Sequence, residues 1–261
     1  MIRAVFLDID GTLVSVRTHR PAPRTAQALL RAREKGVLLF VATGRHTAVP
    51  EEGYILDLLP DCFDGFVGLT GQYCYTRDGT VVRKQPLDPE DIRRVKAMAM
   101  ERHIPYSYAY AHEVFISEVD DRVRDHNAAL SLPIPTVREL DPEREVYSVT
   151  FYIDPEDEEA FLRPLLQNSG TVSWMKGITD LCPLEGGKKA GIQAMLDHFG
   201  LSPEEAMALG DSDNDLSMFE CVGLPVAMGN CTPALRRAAA YVTASCEEDG
   251  VCEALEHFGL I

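Results

Sequence analysis

Two aspartates two residues apart, Asp8 and Asp10, follow the apolar run Ala4-Val5-Phe6-Leu7 and precede Gly11-Thr12-Leu13. The run reads as a strand apolar on both faces, as in a buried parallel sheet. In extended geometry residues i and i+2 project to the same side, so the two carboxylates share a face. Gly11 permits a sharp departure of the chain. Two carboxylates about 4 Å apart at an effective dielectric of about 20 repel by roughly 4 kcal/mol. A proton or a hard cation such as Mg2+ offsets that repulsion. Taken alone, the same residues serve equally well as a turn at Asp10-Gly11 with Asp8 as a cap.

Three further clusters have the same character. Thr43-Gly44-Arg45 follows the apolar stretch 37–42. Gly210-Asp211-Ser212-Asp213-Asn214-Asp215 follows the apolar stretch 206–209. Lys188 opens an amphipathic segment in which Ile192, Met195, Leu196 and Phe199 keep helical spacing before Gly200. Five carboxylates in one crevice require a cation, and oxygen donors without a His-Cys cluster select Mg2+ over zinc. Lys188, Thr43 and free backbone N–H groups suit a phosphoryl group. A carboxylate nucleophile, a metal and a lysine are what phosphoryl transfer needs.

The elements that must position these groups follow a strand–helix–strand rhythm. A helix over 25–35, stopped by Gly36, links the strand at 4–7 to one at 37–42, which makes a βαβ unit and a parallel sheet. Ligands of such sheets bind outside the carboxyl ends of the strands, which brings Thr43 toward Asp8 and Asp10. A strand over 66–69 and a hairpin around Arg77-Asp78-Gly79 come next. The rhythm then breaks. A helix over 88–103, strands over 105–110, 114–117, 146–153 and 171–174, and a helix over 155–166 suggest an inserted α+β domain at 84–182. The rhythm returns over 183–261, with strands near 206–209, 225–228 and 241–243 and a last helix over 249–258. The expected organisation is a catalytic core of 1–83 and 183–261 around the inserted domain.

Composition narrows the function classes. The chain has 261 residues, 46% of them hydrophobic and 25% charged, and a formal net charge of −16. Such a surface disfavours nucleic acid and anionic membranes as partners. Seven cysteines, odd in number and without a C-x-x-C, suggest reduced thiols rather than a disulfide framework or a zinc site. Charged residues come too early for a signal peptide, and no apolar run approaches membrane-spanning length, so the cytoplasm is the expected compartment. A monomer or weak homodimer fits the acidic surface.

Asp8-Ile9-Asp10-Gly11-Thr12, Thr43-Gly44-Arg45, Lys188 and Gly210-Asp211-Ser212-Asp213-Asn214-Asp215 resemble, in order, the four motifs of the haloacid dehalogenase (HAD) superfamily. Ala227-Met228-Gly229-Asn230 and Glu248-Asp249-Gly250-Val251 resemble its Cof-type, class IIB sugar-phosphatase branch. The resemblance implies a Rossmann-like α/β core with a mobile α+β cap of the C2B type over the site. It implies Mg2+-dependent hydrolysis of a small phosphorylated metabolite such as a sugar phosphate. It makes Asp8 the nucleophile and Asp10 the acid and base, with the Asp10 backbone carbonyl on the metal. Thr43 binds the phosphoryl group, and Lys188 neutralises it. Asp211 is the main ligand from the fourth motif, and Asp215 supports the metal site. Thr12, Gly44, Arg45 and Asn214 are expected beside the substrate.

The chain departs from the branch at Thr70-Gly71-Gln72, where Asn-Gly-Ala is common, at Lys189, where Gly is common, and at Ala239-Ala240-Tyr241 in place of Ala-Asp-Tyr. Gln72 and Lys189 could therefore change what is bound beside the phosphate. Asp213 is expected to support the acidic loop and His46 to belong to its own loop. His112, His126 and Trp174 are expected as ordinary surface or core before any role in specificity. Glu156-Asp157-Glu158-Glu159 reads as a solvated helix start. Three alternatives compete with hydrolysis: a phosphomutase of the same fold, a phospho-accepting signalling module, and a catalytically idle metabolite sensor.

Overall fold

The computed structural model describes residues 1–46, 55–129, 133–184 and 186–261, without the side chains of Ile55, Leu56 and Trp174. The chain forms two compact units, Met1–Lys84 with Gly187–Ile261, and Gln85–Gly186.

The first unit begins with β1 (Ala4–Leu7), buried along its whole length. Helix α1 (Thr25–Glu34) buries Ala28, Leu29 and Ala32 and ends before Gly36, whose φ of 85° needs glycine. Strand β2 (Leu38–Ala42), a short helix α2 (Ile55–Leu58) and strand β3 (Gly65–Gly68) follow. Strands β4 (Tyr73–Thr76) and β5 (Val81–Lys84) form the expected antiparallel hairpin.

The second unit runs α3 (Pro89–Arg102), β6 (Tyr106–Tyr110), β7 (Glu113–Ile116), α4 (Asp121–Ala129), β8 (Thr136–Val137), β9 (Ser148–Tyr152), α5 (Pro155–Asp157), β10 (Ser169–Met175) and β11 (Ile178–Pro183). Asp88 caps α3 by accepting from the N–H groups of Glu90 and Asp91, and Pro89 takes the first position. The sheet order is β10-β11-β9-β6-β7-β8. Its core joins Ile92, Val95 and Met98 of α3 to Tyr106, Tyr108 and Phe151 of the sheet.

The chain re-enters the first unit with α6 (Gly187–Phe199), then β12 (Ala206–Gly210), α7 (Leu216–Phe219), β13 (Leu224–Ala227), α8 (Pro233–Ala238), β14 (Tyr241–Val242) and α9 (Gly250–His257). Its sheet has the order β14-β13-β12-β1-β2-β3-β4-β5, with the first six strands parallel. The period of two along β1 sorts its side chains. Val5 and Leu7 join a core with α1 and α9, while Ala4 and Phe6 join another with Ile192, Met195 and Leu196 of α6. Helices thus cover both faces of a Rossmann-like α/β sheet. Successive strands step away from β1 in one direction and from β12 in the other. The reversal lies between β1 and β12, where the carboxyl ends of the two strands leave a crevice.

Three expectations change. The helix over 155–166 forms over 155–165 but is of mixed type: α5 runs directly into a π-helical turn at Glu158–Leu162 and a 3-10 turn at Arg163–Leu165. Pro164 offers no N–H to continue an α-helix. Helix α4 and strand β8 lay in stretches too polar to show a period. The run 156–159 is not uniformly solvated, since Glu158 is only 4% exposed. Its carboxylate accepts from Thr171 (2.9 Å), Ser173 (2.7 Å) and Thr179 (2.6 Å) and pairs with Arg163 (2.9 Å). These donors come from β10 and β11, which no local pattern around Glu158 announces.

Burial works against the Glu158 charge, but the three hydroxyls and Arg163 outweigh it and hold its carboxyl below the ordinary value of 4.5. A depressed folded-state pKa gives stability that is present above pH 4.5 and lost as the pH falls below it. Glu158→Ala should lower unfolding stability by about 2 kcal/mol at neutral pH. The gap between wild type and variant should narrow on acidification, as read by urea unfolding at pH 7 and pH 3.5.

Candidate functional site

The site grows from the ends of the parallel strands. Asp8 follows β1 directly, and its N–H donates to the Leu209 carbonyl of β12 (3.1 Å). The chain then closes a tight loop, with Gly11 N–H donating to Val14 O (2.8 Å) and Val14 N–H to Ile9 O (2.9 Å). Gly11 has φ 82°, and a Cβ there would lie 2.2 Å from Asp211 Oδ2. Only glycine lets this loop and the loop after β12 approach so closely.

Lys188, the second residue of α6, is fully buried. Its Nζ donates to Asp8 Oδ1 and to Asp215 Oδ1, both at 2.6 Å. The other oxygen of Asp215 accepts from the N–H groups of Asp211 (3.0 Å) and Ser212 (3.1 Å). Asp215 therefore ties the lysine to the acidic loop. Carboxylate oxygens of Asp8, Asp211 and Asp215 all lie within 4.8 Å of one another.

Three carboxylates here face one ammonium. Burial is the largest influence on Asp8 and raises its carboxyl to about 8, against the opposing pull of Lys188. Burial, then repulsion from Asp215, raises Asp211 to about 7. Burial alone would lower Lys188, but Asp8 and Asp215 more than reverse this and hold the ammonium above its ordinary value. The excess negative charge and the all-oxygen donor set fit a hard divalent cation held by Asp8 and Asp211 with Asp215 behind them.

Asp10 is not one of these three. Its carboxylate takes a bidentate pair from Arg45, Nε to Oδ2 at 2.6 Å and Nη2 to Oδ1 at 2.9 Å. Arg45 is thus seated on the carboxylate two residues beyond Asp8, and its N–H donates to Thr43 Oγ1 (3.1 Å). Thr43 is 2% exposed and keeps its hydroxyl proton for another acceptor. Thr12 is buried, with its hydroxyl toward Asp211 Oδ1 at 3.4 Å. Asn214 is exposed and accepts from Ser212 Oγ (2.7 Å), and Asp213 accepts from Thr232 Oγ1. The sequence-predicted residues Asp8, Lys188, Asp211 and Asp215 are in mutual reach, and Asp10, Thr43 and Arg45 form a second linked group. Gly44 sits between Thr43 and Arg45 and has Thr70 Oγ1 as its neighbour, 3.5 Å from where a Cβ would be.

The departures from the family pattern lie in different surroundings. Lys189 pairs with Glu220 (3.1 Å) and is 54% exposed, while Gln72 is buried. His46 is buried and His112 exposed; His126 stands edge-on to Tyr152. The side chain of Trp174 lies outside the described residues.

Two supports of the site carried no role in the sequence. Asn230 donates from Nδ2 to Gly11 O (2.8 Å) and accepts from Cys246 N–H (2.9 Å), tying the loop after β1 to the C-terminal region. Its signal was a Gly-Asn pair at a strand's carboxyl end. Ser15 donates to Glu247 (2.6 Å), which also pairs with Arg17 (2.6 Å), and this contact across the chain has no local signal.

The turn after β3 also escaped sequence reasoning. Leu69, Thr70 and Gly71 have φ of 49°, 54° and 88°, three successive left-handed residues. For the non-glycine residues this costs about 1–2 kcal/mol each. Leu69 N–H donates to Arg45 O (3.0 Å) and Thr70 N–H to Thr43 O (2.9 Å). A Cβ on Gly71 would lie 2.3 Å from Gly187 O at the start of α6. The turn is therefore a joint between the loop bearing Thr43 and the helix bearing Lys188.

Comparison with known proteins agrees with this geometry. The family model for haloacid dehalogenase-like hydrolases matches residues 5–255. Over its whole length the chain is 31% identical to a Streptococcus pyogenes protein named "Putative bifunctional phosphatase/peptidyl-prolyl cis-trans isomerase", of which it spans 54%. It is 27% identical to the phosphoglycolate phosphatase of Methanothermobacter thermautotrophicus, covering 98% of this chain and 99% of that one. Among solved structures, a HAD-superfamily phosphatase from Bacteroides thetaiotaomicron matches with a TM-score of 0.87 at 30% identity, covering 100% of this chain and 96% of that one. A HAD subclass IIB sugar phosphatase matches with a TM-score of 0.85 at 31% identity, covering 99% and 100%. No described helix is long and apolar enough to cross a membrane. With the motifs gathered in one crevice and the family model spanning nearly the whole chain, this protein belongs to the haloacid dehalogenase-like hydrolases.

Proposed function

We propose that the protein is a Mg2+-dependent phosphatase of a small phosphate monoester, in the sugar-phosphate class, acting through an aspartyl-phosphate. The observation that carries this reading is the buried Lys188 ammonium between Asp8 and Asp215, with Asp211 in the same oxygen cluster. When bound, Mg2+ neutralises negative charge on the phosphoryl oxygens and on the carboxylates of Asp8 and Asp211.

Asp8 attacks phosphorus with the oxygen not held by Lys188. The ester P–O bond breaks, and Asp10 gives a proton to the leaving alkoxide. In the second half Asp10 takes a proton from water, the water oxygen attacks phosphorus, and the bond to Asp8 breaks to give inorganic phosphate. Lys188 holds Asp8 in one rotamer and stabilises charge building on the phosphoryl group, with the Thr43 hydroxyl as a further donor. Arg45 holds Asp10 as a carboxylate in the free site; the incoming phosphate competes for that guanidinium, and Asp10 released from it takes up from solvent the proton it gives to the leaving group. The 85–186 unit is proposed as the inserted cap to which family resemblance assigns substrate selection. Cytoplasmic location and a monomeric or weakly dimeric state belong to the same proposal.

Phosphate release from a panel of sugar phosphates, with Mg2+ and with EDTA, tests the reading. Turnover should require the metal, and Asp8→Asn should lower kcat by about 10³-fold or more while the protein stays folded. Wild-type protein quenched in acid during turnover should carry hydroxylamine-labile phosphate, and Asp8→Asn should carry none. An Asp8→Asn protein with full activity would overturn the assignment.

Gly11→Ala should act on the metal rather than on the fold as a whole. Its Cβ would collide with Asp211 Oδ2, so the Mg2+ concentration for half-maximal activity should rise by roughly 10-fold or more.

A further inference from the structure

Backbone hydrogen bonds fix the left-handed turn after β3, but they do not explain the residue found at its second position. The N–H groups of Leu69 and Thr70 brace the Thr43–Arg45 loop, and Arg83 Nε reaches Gly71 O at 3.3 Å. A glycine or an asparagine at position 70 would present the same N–H in the same conformation with less strain. Thr70 is instead β-branched, with φ 54° and ψ 34°, a pairing that is a genuine outlier. Packing does not account for it, because the residue is exposed. Hydrogen bonding within the protein does not either, because among the described residues its hydroxyl has no partner.

What the strained backbone does achieve is placement. Thr70 stands at the carboxyl end of β3, next to β2, on the edge that carries Asp8 and Thr43. Its Oγ1 lies beside Gly44, where a first side-chain carbon would be 3.5 Å away. A hydroxyl both donates and accepts, which suits a ligand group that does the same. Strained residues that surrounding structure holds in place concentrate at ligand sites.

We propose that Thr70 is a specificity residue whose hydroxyl hydrogen-bonds the hydroxyl-bearing part of the substrate, next to the phosphoryl group bound at Thr43. The proposal rests on the phosphatase reading above and deepens it. The substrate class it selects is a phosphate monoester with a free hydroxyl near the ester carbon, over an aryl phosphate without one.

Two variants test this. Thr70→Val removes the hydroxyl and keeps the β-branched shape. The ratio of kcat/KM for the best sugar phosphate to kcat/KM for p-nitrophenyl phosphate should fall by roughly 3- to 10-fold, the loss of one neutral hydrogen bond. Thr70→Gly removes the hydroxyl and the strained side chain together, so the same ratio should fall while the thermal midpoint is kept or raised. An unchanged ratio in Thr70→Val overturns the proposal, including the case in which both substrates suffer alike through a disturbed Thr43 or Lys188. If wild type turns over nothing, the phosphatase reading has failed. The comparison is then made on calorimetric Kd values for the same sugar phosphates, and equal values for wild type and Thr70→Val overturn the proposal.

Discussion

The site depends on one buried cation. Lys188 has no exposed surface, and its ammonium is shared between Asp8 and Asp215. Removing it would leave three carboxylates in a space where oxygens from all three lie within 4.8 Å. Burying a charge without a partner is costly, and breaking a buried pair typically costs about 3–5 kcal/mol. Much of the surrounding structure can be read as what keeps that ammonium in place. Helix α6 carries it, and β1 supplies Asp8 on one side. The loop after β12 supplies Asp215 on the other, with the second oxygen of the Asp215 carboxylate accepting from two backbone N–H groups. Yet one ammonium cannot balance three carboxylates, and that shortfall suits the crevice to a divalent cation.

Topology explains why Asp8 and Asp211, far apart in sequence, place carboxylate oxygens within 4.8 Å of each other. β1 and β12 are neighbours in register, Leu7 beside Leu209, so the residues that follow them emerge side by side. The strand order runs outward from this pair in both directions, so no connection has to cross the crevice. Close approach is then limited by Cβ atoms. At Gly11 and at Gly210 a Cβ would lie 2.2 Å from Asp211 and 2.6 Å from Asp215, respectively. Both glycines are thus part of the electrostatic design, because they let carboxylates crowd where a side chain would hold them apart.

Legibility in the sequence followed the range of the interaction. The βαβ rhythm, the cap of α3 at Asp88, the stop of α1 near Gly36 and the hairpin of β4 and β5 rest on neighbours a few residues away, and all could be read locally. Asp8, Lys188 and Asp211 were legible because polar groups at strand ends and a helix start stand out against apolar runs. Three features were not. Glu158 was misread because the hydroxyls that solvate it come from strands 13 to 21 residues further on. The role of Asn230 depends on a carbonyl 219 residues away. The left-handed turn at Leu69 and Thr70 runs against the intrinsic preference of both residues, so propensity alone points away from it. Tertiary hydrogen bonds to Thr43 and Arg45 decide that conformation.

Strain and insertion bear on the same division of labour. Each unit has its own apolar cores: α1, α6 and α9 pack on the first sheet, and α3 packs on the second. A unit that buries its own apolar surface can change sequence or length without removing anything from the other unit's core. Lengthening a connection costs little, since each doubling of a flexible loop adds only about 0.6 kcal/mol. The joint formed by Leu69, Thr70 and Gly71 is different. It belongs to the first unit and couples the Thr43 loop to α6 through backbone contacts, so its shape cannot drift without moving Thr43 and Lys188. Chemistry is therefore held by short-range constraints inside one unit. The 85–186 unit keeps a core of its own, and on the first unit exposed Thr70 has a hydroxyl without a partner among the described residues.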